Sequence, residues 1–219
     1  MNLYEFINAA KWLEEQEPLI YPLIRTNESL NAKTVSELSQ LHAGVLTDNL
    51  DVVNACTGLD PRSVFLHTHI SDENLQSAHG KCRYLVENET EIKNLDRIVG
   101  PFLQEGYMED SALRVYPDGN GAFTPENIPM FARLIRRSEN LAARALFLPF
   151  DSNGDLAEQA KDAFSLVKKI RSDMPCMLHA FCFEGLLEPL VQGDEKLLHT
   201  LKMLASLNDT SLYASFFIS

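Results

Sequence analysis

The sequence predicts an α/β protein: a single (β/α)8 barrel of the TIM type, with one helix ahead of the first strand and one domain over residues 1–219. The first observation is alternation, since short apolar segments trade places with amphipathic helical segments along the whole chain. Strands separated by helices run parallel, because each helix carries the chain back across the sheet, and eight such units close into a barrel. The second observation is that no linker or low-complexity stretch divides the chain. The third is that no Gly-x-Gly-x-x-Gly follows the first strand, which sets aside an open doubly wound sheet with a dinucleotide site.

The elements follow in order. Leu3 to Glu15 places Leu3, Phe6, Ile7, Ala10 and Leu13 on one helical face. Leu19–Arg25 is strand one, and Ser29–Leu41 is a helix with Leu30, Val35, Leu38 and Leu41 inward. Ala43–Asp48 is strand two, backed by helix Leu50–Leu59. The turn Asp60-Pro61-Arg62 leads into strand three, Ser63–Ile70, and Asp72 caps the short helix after it. Strand four is Arg83–Glu87, and Thr90–Leu103 is a helix capped by Asn88 or Thr90. Strand five is Ala112–Tyr116, and the Gly- and Asn-rich run Pro117–Thr124 is a loop. Pro125 opens a helix that runs to about Glu139. Ala142–Phe150 is strand six and Asp155–Ser172 the helix behind it. Pro175 leads into strand seven, Cys176–Phe183; Leu186–Leu207 is helical with a break near Gly193, and Ser211–Ile218 is strand eight.

Composition narrows the function. A net charge of −12 argues against a nucleic-acid surface, which needs clustered Lys and Arg, and against an anionic membrane. No run approaches the roughly 18 apolar residues of a membrane span. The start of the chain, Met1 to Glu17, lacks the basic-then-apolar pattern of a signal peptide, so the expected location is the cytoplasm. Cys56, Cys82, Cys176 and Cys182 match no zinc spacing and are expected to be free thiols.

Residues at the C-terminal ends of barrel strands meet at one mouth. Taken in order, those ends resemble the pyridoxal-phosphate barrel of alanine racemases and of ornithine, diaminopimelate and carboxynorspermidine decarboxylases. The resemblance covers most of the chain and is one of order and spacing. It rests on the leading helix, on Leu23-Ile24-Arg25-Thr26-Asn27 where that family has apolar-apolar-Lys-Ala-Asn, and on Ala43-Gly44-Val45 opening strand two. Asp60-Pro61-Arg62-Ser63-Val64-Phe65 and Leu113-Arg114-Val115 complete it.

The departures from that family predict lost chemistry. Its Schiff-base lysine aligns with Arg25, and a guanidinium stays protonated and cannot attack an aldehyde. Its ring-stacking His and following Gly-Ser align with Pro149 and Asp151-Ser152. Its phosphate-binding Gly-Gly-Gly turn aligns with Ala180-Phe181-Cys182, where Phe181 is expected to displace the anion. Its Glu-Pro-Gly-Arg has no counterpart in Tyr213–Ser219, and its β-rich second domain has none in these 219 residues. The expected protein is therefore a barrel inactive in pyridoxal-phosphate chemistry and holding no cofactor. It would bind a small anion through Arg25 and Arg114, near Asn27, Asp48, Asp151 and Ser152, or act as a regulatory subunit. Its expected partner is a second copy or an active paralogue.

A metal-dependent barrel enzyme is the alternative. His67 and His69 lie two apart on strand three and so share a face. His-x-His at a barrel mouth holds a metal when neighbouring strands add ligands, here Asp48, Asp151, His179 or Glu184. Equally, one His would pack in the barrel while the other is solvated at the rim. Asp118-Gly119-Asn120-Gly121 reads as a surface turn, and Asp151–Asp155 as the end of strand six with a helix cap. Cys182 and His179 differ by three along a strand and face opposite ways, so they form no thiol–imidazole pair.

Overall fold

The first seven strands of this chain alternate their side chains between an inner lumen and an outer helical layer, and that alternation builds two separate cores. The computed structural model describes residues 2–17, 20–116, 121, 123–124, 126–151, 153–173, 180–206 and 211–217. Its strands are β1 (Ile20–Arg25), β2 (Gly44–Thr47), β3 (Val64–His67), β4 (Arg83–Val86), β5 (Glu109–Arg114), β6 (Leu141–Pro149), β7 (Ala180–Glu184) and β8 (Ser211–Phe217). They close a barrel in sequence order, every pair parallel, with β8 returning to β1 from Ile20↔Leu212 to Arg25↔Phe217. The expected (β/α)8 barrel is the observed one.

The helices are α1 (Leu3–Gln16), α2 (Ala32–Gln40), α3 (Leu50–Ala55), α4 (Asp72–Ser77), α5 (Glu89–Val99), α6 (Ile128–Arg137), α7 (Leu156–Asp173), α8 (Leu187–Val191) and α9 (Glu195–Ser206). Asparagine starts several of them. Asn2 and Glu5 form a reciprocal capping box on α1, and the side chains of Asn31, Asn49 and Asn88 accept backbone N–H groups at α2, α3 and α5. Ser71, not Asp72, caps α4; Asp72 instead accepts a hydrogen bond from Arg97 at 2.6 Å. Gly193 takes a φ of 95° between α8 and α9, which is the expected break.

The outer core joins helix residues such as Phe6 to the outward strand residues, Ile24, Val45, Tyr84, Leu146, Phe181 and Phe183 among them. The lumen holds Leu23, Leu46, Phe65, Leu85, Ala112, Ala145, Phe147, Ala180 and Cys182. Alanines on β5, β6 and β7 leave space that Phe65 and Phe147 fill edge to face, with ring centres 4.9 Å apart. Burial raises the thiols of Cys56, Cys82 and Cys182 above the ordinary range, that of Cys56 to about 11, and all three are free. No helix among the described residues is long and apolar enough to cross a membrane.

Three strands differ from expectation in ways that bear on the barrel ends. β5 starts at Glu109 rather than Ala112, because Glu109 and Asp110 already pair with Leu141 and Ala142 ahead of a bulge at Ser111/Ala112. β3 stops at His67, so His69 lies in the following turn and not on the strand. β7 runs Ala180–Glu184, and Phe181 faces the outer core. It therefore does not fill the mouth, where Glu184 stands instead. Ser152, Cys176, His179, Pro125 and the Asp118–Asn120 turn lie outside the described residues. Replacing Phe147 by Ala should lower stability by about 3–5 kcal/mol, read as a drop in the urea midpoint at unchanged m-value.

Candidate functional site at the barrel mouth

Two residues beyond each lumen side chain, toward the C-terminal end of its strand, stands a mouth residue. Leu23 is followed in this way by Arg25, Leu46 by Asp48, Phe65 by His67 and Leu85 by Glu87. Ala112 is followed by Arg114, Phe147 by Pro149 and Cys182 by Glu184. The apolar lumen thus ends in a polar ring. Its formal charges are two guanidiniums, Arg25 and Arg114, against three carboxylates, Asp48, Glu87 and Glu184.

Arg114 is the hub of one half. Its Nε donates to Glu184 Oε2 at 2.9 Å, its Nη2 donates to Glu184 Oε1, and its Nη1 donates to Glu87 Oε1. Glu184 is 3% exposed and Arg114 7% exposed, so this fork-to-fork pair is desolvated. Burial opposes the guanidinium charge, but the Glu184 charge and hydrogen bonds, with Glu87, hold its pKa above the ordinary value. Arg114 joins β5 to β7 and to the end of β4, and three of its five N–H donors go to protein carboxylates.

Asp48 is the hub of the other half. Asn27 fixes its loop: Asn27 Oδ1 accepts from Thr47 Oγ1 at 3.0 Å and from the Asp48 N–H at 2.8 Å. Asp48 Oδ2 accepts from Asn27 Nδ2 at 3.2 Å and faces Arg25 Nη2 at 3.6 Å. The other oxygen, Oδ1, lies 3.4 Å from His67 Nε2 and 3.7 Å from His69 Nε2. Burial works to raise the Asp48 pKa, but the Asn27 hydrogen bond and neighbouring positive charge bring the net value below normal. Burial, followed by the charges of Arg114 and Arg25, pushes the His67 imidazole down to about 3, leaving it neutral at physiological pH.

Glu91, in the first turn of α5, positions both histidines' surroundings. Its Oε2 accepts from Thr68 Oγ1 at 2.8 Å and from the Glu87 N–H at 2.7 Å. Thr68 sits between the two histidines, so the turn is pinned even though the strand has ended. The rings of His67 and His69 have centres 4.9 Å apart. One ligand atom from each of Asp48, His67 and His69 lies within 4.8 Å of the others. Asp48 Oδ1 and both His67 ring nitrogens are buried and have no hydrogen-bond partner among the described residues. Glu87 Oε1 stands 3.7 Å behind His67 Nδ1.

The structure therefore brings Arg25, Asn27, Asp48, His67, His69, Arg114 and Glu184 to one mouth, as expected from strand ends. Glu184 is committed to Arg114 and does not join the histidines. Asp151 is exposed at the rim, where it accepts from the Asn153 N–H at 2.9 Å and its own N–H donates to Gln159. It stands outside the histidine cluster. Lys33 is exposed on α2, and Lys81 Nζ donates to Asn54 on the outer surface, so neither projects into the mouth. Sequence reasoning missed Glu87 as a site residue. The same strand-end rule that singled out Asp48 would have found it, two residues past lumen-facing Leu85.

No protein-family model and no curated protein matches the sequence. Solved structures do match the fold, which is that of amino-acid decarboxylase barrels. Diaminopimelate decarboxylase of Helicobacter pylori, crystallised with L-lysine, superposes with a TM-score of 0.75 at 14% identity, over 98% of this chain and 61% of that one. Lysine/ornithine decarboxylase of Vibrio vulnificus, complexed with putrescine, gives 0.72 at 10% identity over 98% and 61%. The arginine decarboxylase of Paramecium bursaria Chlorella virus, bound to agmatine, gives 0.71 at 9% identity over 96% and 61%. The chain spans about three fifths of the length of these enzymes. Its likeness to them is one of fold.

Removing Arg114 leaves Glu184 buried without its counter-charge. Arg114→Met should cost about 3–5 kcal/mol in urea denaturation, and adding Glu184→Leu should restore much of that loss.

Proposed function

We propose that this decarboxylase-like barrel does not work through pyridoxal phosphate and that its mouth binds a divalent transition metal through Asp48, His67 and His69. The observation that carries the reading is the convergence of Asp48 Oδ1, His67 Nε2 and His69 Nε2, the first two buried with no hydrogen bond to satisfy them. A buried polar atom left unpaired costs about 1–3 kcal/mol, and an ion at that point removes the cost. Two imidazoles and one carboxylate are the donor set of zinc and of related divalent ions, with coordination positions left over for solvent or substrate. Neutral His67 offers a lone pair, and Glu87 stands behind its far nitrogen, where a carboxylate orients a metal-bound imidazole. Asp48 divides its oxygens, giving Oδ2 to Asn27 and Arg25 and keeping Oδ1 for the ion.

Pyridoxal phosphate does not fit these residues. Arg25 ends β1, and the seven mouth residues from β1 to β7 include no lysine. The small-anion reading also gives way. Both mouth arginines already face carboxylates, and the ring sums to one net negative charge, which favours a cation. The function supported best is that of a metal-dependent barrel enzyme in which the ion activates water or a small substrate at the mouth.

Titrating cobalt(II) or zinc into chelator-stripped full chain should give one equivalent bound. Asp48→Ala and His67→Ala should each weaken binding by about 100-fold or more. No binding, or equal binding by the variants, overturns the metal reading. Incubation with pyridoxal phosphate should produce no aldimine absorbance and no adduct after borohydride. A stable reduced adduct would restore amine chemistry to this barrel.

A further inference from the structure

A cavity of about 540 Å³ among the described residues lies away from the mouth. It lies at the opposite end of the barrel, bounded by the segments that enter β3, β4 and β5. In barrels of this type that face ordinarily serves stability rather than ligands. Here it has the size of a small-molecule site and a divided lining. One wall is apolar and exposed, made by Phe102 (50% exposed), Tyr107 (67%) and Met108 (43%).

The other wall carries two guanidiniums and two carboxylates. Arg83 is 4% exposed, and its Nε is buried with no hydrogen-bond partner. Its guanidinium lies over the Phe65 ring at 5.9 Å and reaches Asp110 only at 3.6 Å. Asp110 is already taken by Arg144 at 3.2 Å. Glu109 is taken by His79 Nδ1 at 2.7 Å and by the Gly80 N–H at 3.2 Å. Arg62 adds a second guanidinium to the lining. Within the lining Arg62 and Arg83 balance Glu109 and Asp110, on a chain whose net charge is −12, and Arg144, outside the lining, engages Asp110 as well. A desolvated guanidinium whose Nε lacks a hydrogen bond calls for an acceptor, and a carboxylate matches its fork.

We propose that this end of the barrel binds a small aromatic carboxylate, its anionic group on Arg83 and Arg62 and its ring against Phe102, Tyr107 and Met108. The inference is independent of the metal at the mouth. The concave shape and the buried cation favour a small molecule over a protein surface, which would cover the aromatic wall without reaching Arg83.

Isothermal titration of the full chain with indole-3-acetate tests it. One equivalent should bind, with tryptamine, which reverses the charge, and acetate, which lacks the ring, weaker by about tenfold or more. Tyr107→Ala and Arg62→Ala, both on exposed side chains, should weaken binding several-fold at unchanged Tm, and Arg83→Gln should weaken it further. Asp48→Ala should leave it unchanged. The proposal is overturned if indole-3-acetate does not bind, if tryptamine binds as well, or if Asp48→Ala removes binding. It is equally overturned if both surface variants bind like the parent, or if sedimentation shows a dimer that Tyr107→Ala converts to monomer, since a second copy then covers the wall.

Discussion

The mouth of this barrel depends on one buried interaction, the Arg114 fork held by Glu184 and Glu87. Three strands bring their polar ends together there, and like-charged carboxylates are kept close by the guanidinium between them. The pair is weak evidence for stability, because desolvating its charges offsets much of their attraction. It is strong evidence for specificity of arrangement. With Arg114 engaged, Glu87 is fixed where it backs His67, and Glu184 is kept away from the histidines. The positive charge that it places by His67 also keeps that imidazole neutral.

A fold shared with decarboxylases at 9–14% identity carries no activity by itself, since function lives in the side chains at the strand ends. Here Arg25 turns its guanidinium onto Asp48, whose second oxygen looks toward two imidazoles.

Much of the fold was legible in the sequence because helices and strands differ in period. Two-residue alternation marked the strands, and caps such as Asn88 marked helix starts. Strand ends were harder. His69 reads as strand by alternation, yet Thr68 gives its hydroxyl to Glu91, and the chain turns there. Phe181 was placed on the wrong face because an apolar run such as Ala180–Phe183 has no polar residue to mark its phase. Of the site, Asp48, His67 and Arg114 were visible from position alone. The division of labour between the two Asp48 oxygens, and the capture of Glu184 by Arg114, are facts of three-dimensional pairing that spacing does not encode.

The seam between β1 and β8 differs in kind from the other pairings. Every other strand pairs with its neighbour in sequence, whereas Ile20–Arg25 must wait for Ser211–Phe217. A chain emerging from the ribosome therefore builds a curved, open sheet first, with the main chain of β1 uncovered along one edge. Arg25 sits on that edge. Until β8 is added, β1 and β7 each keep one main-chain edge unpaired and open to pairing with another chain.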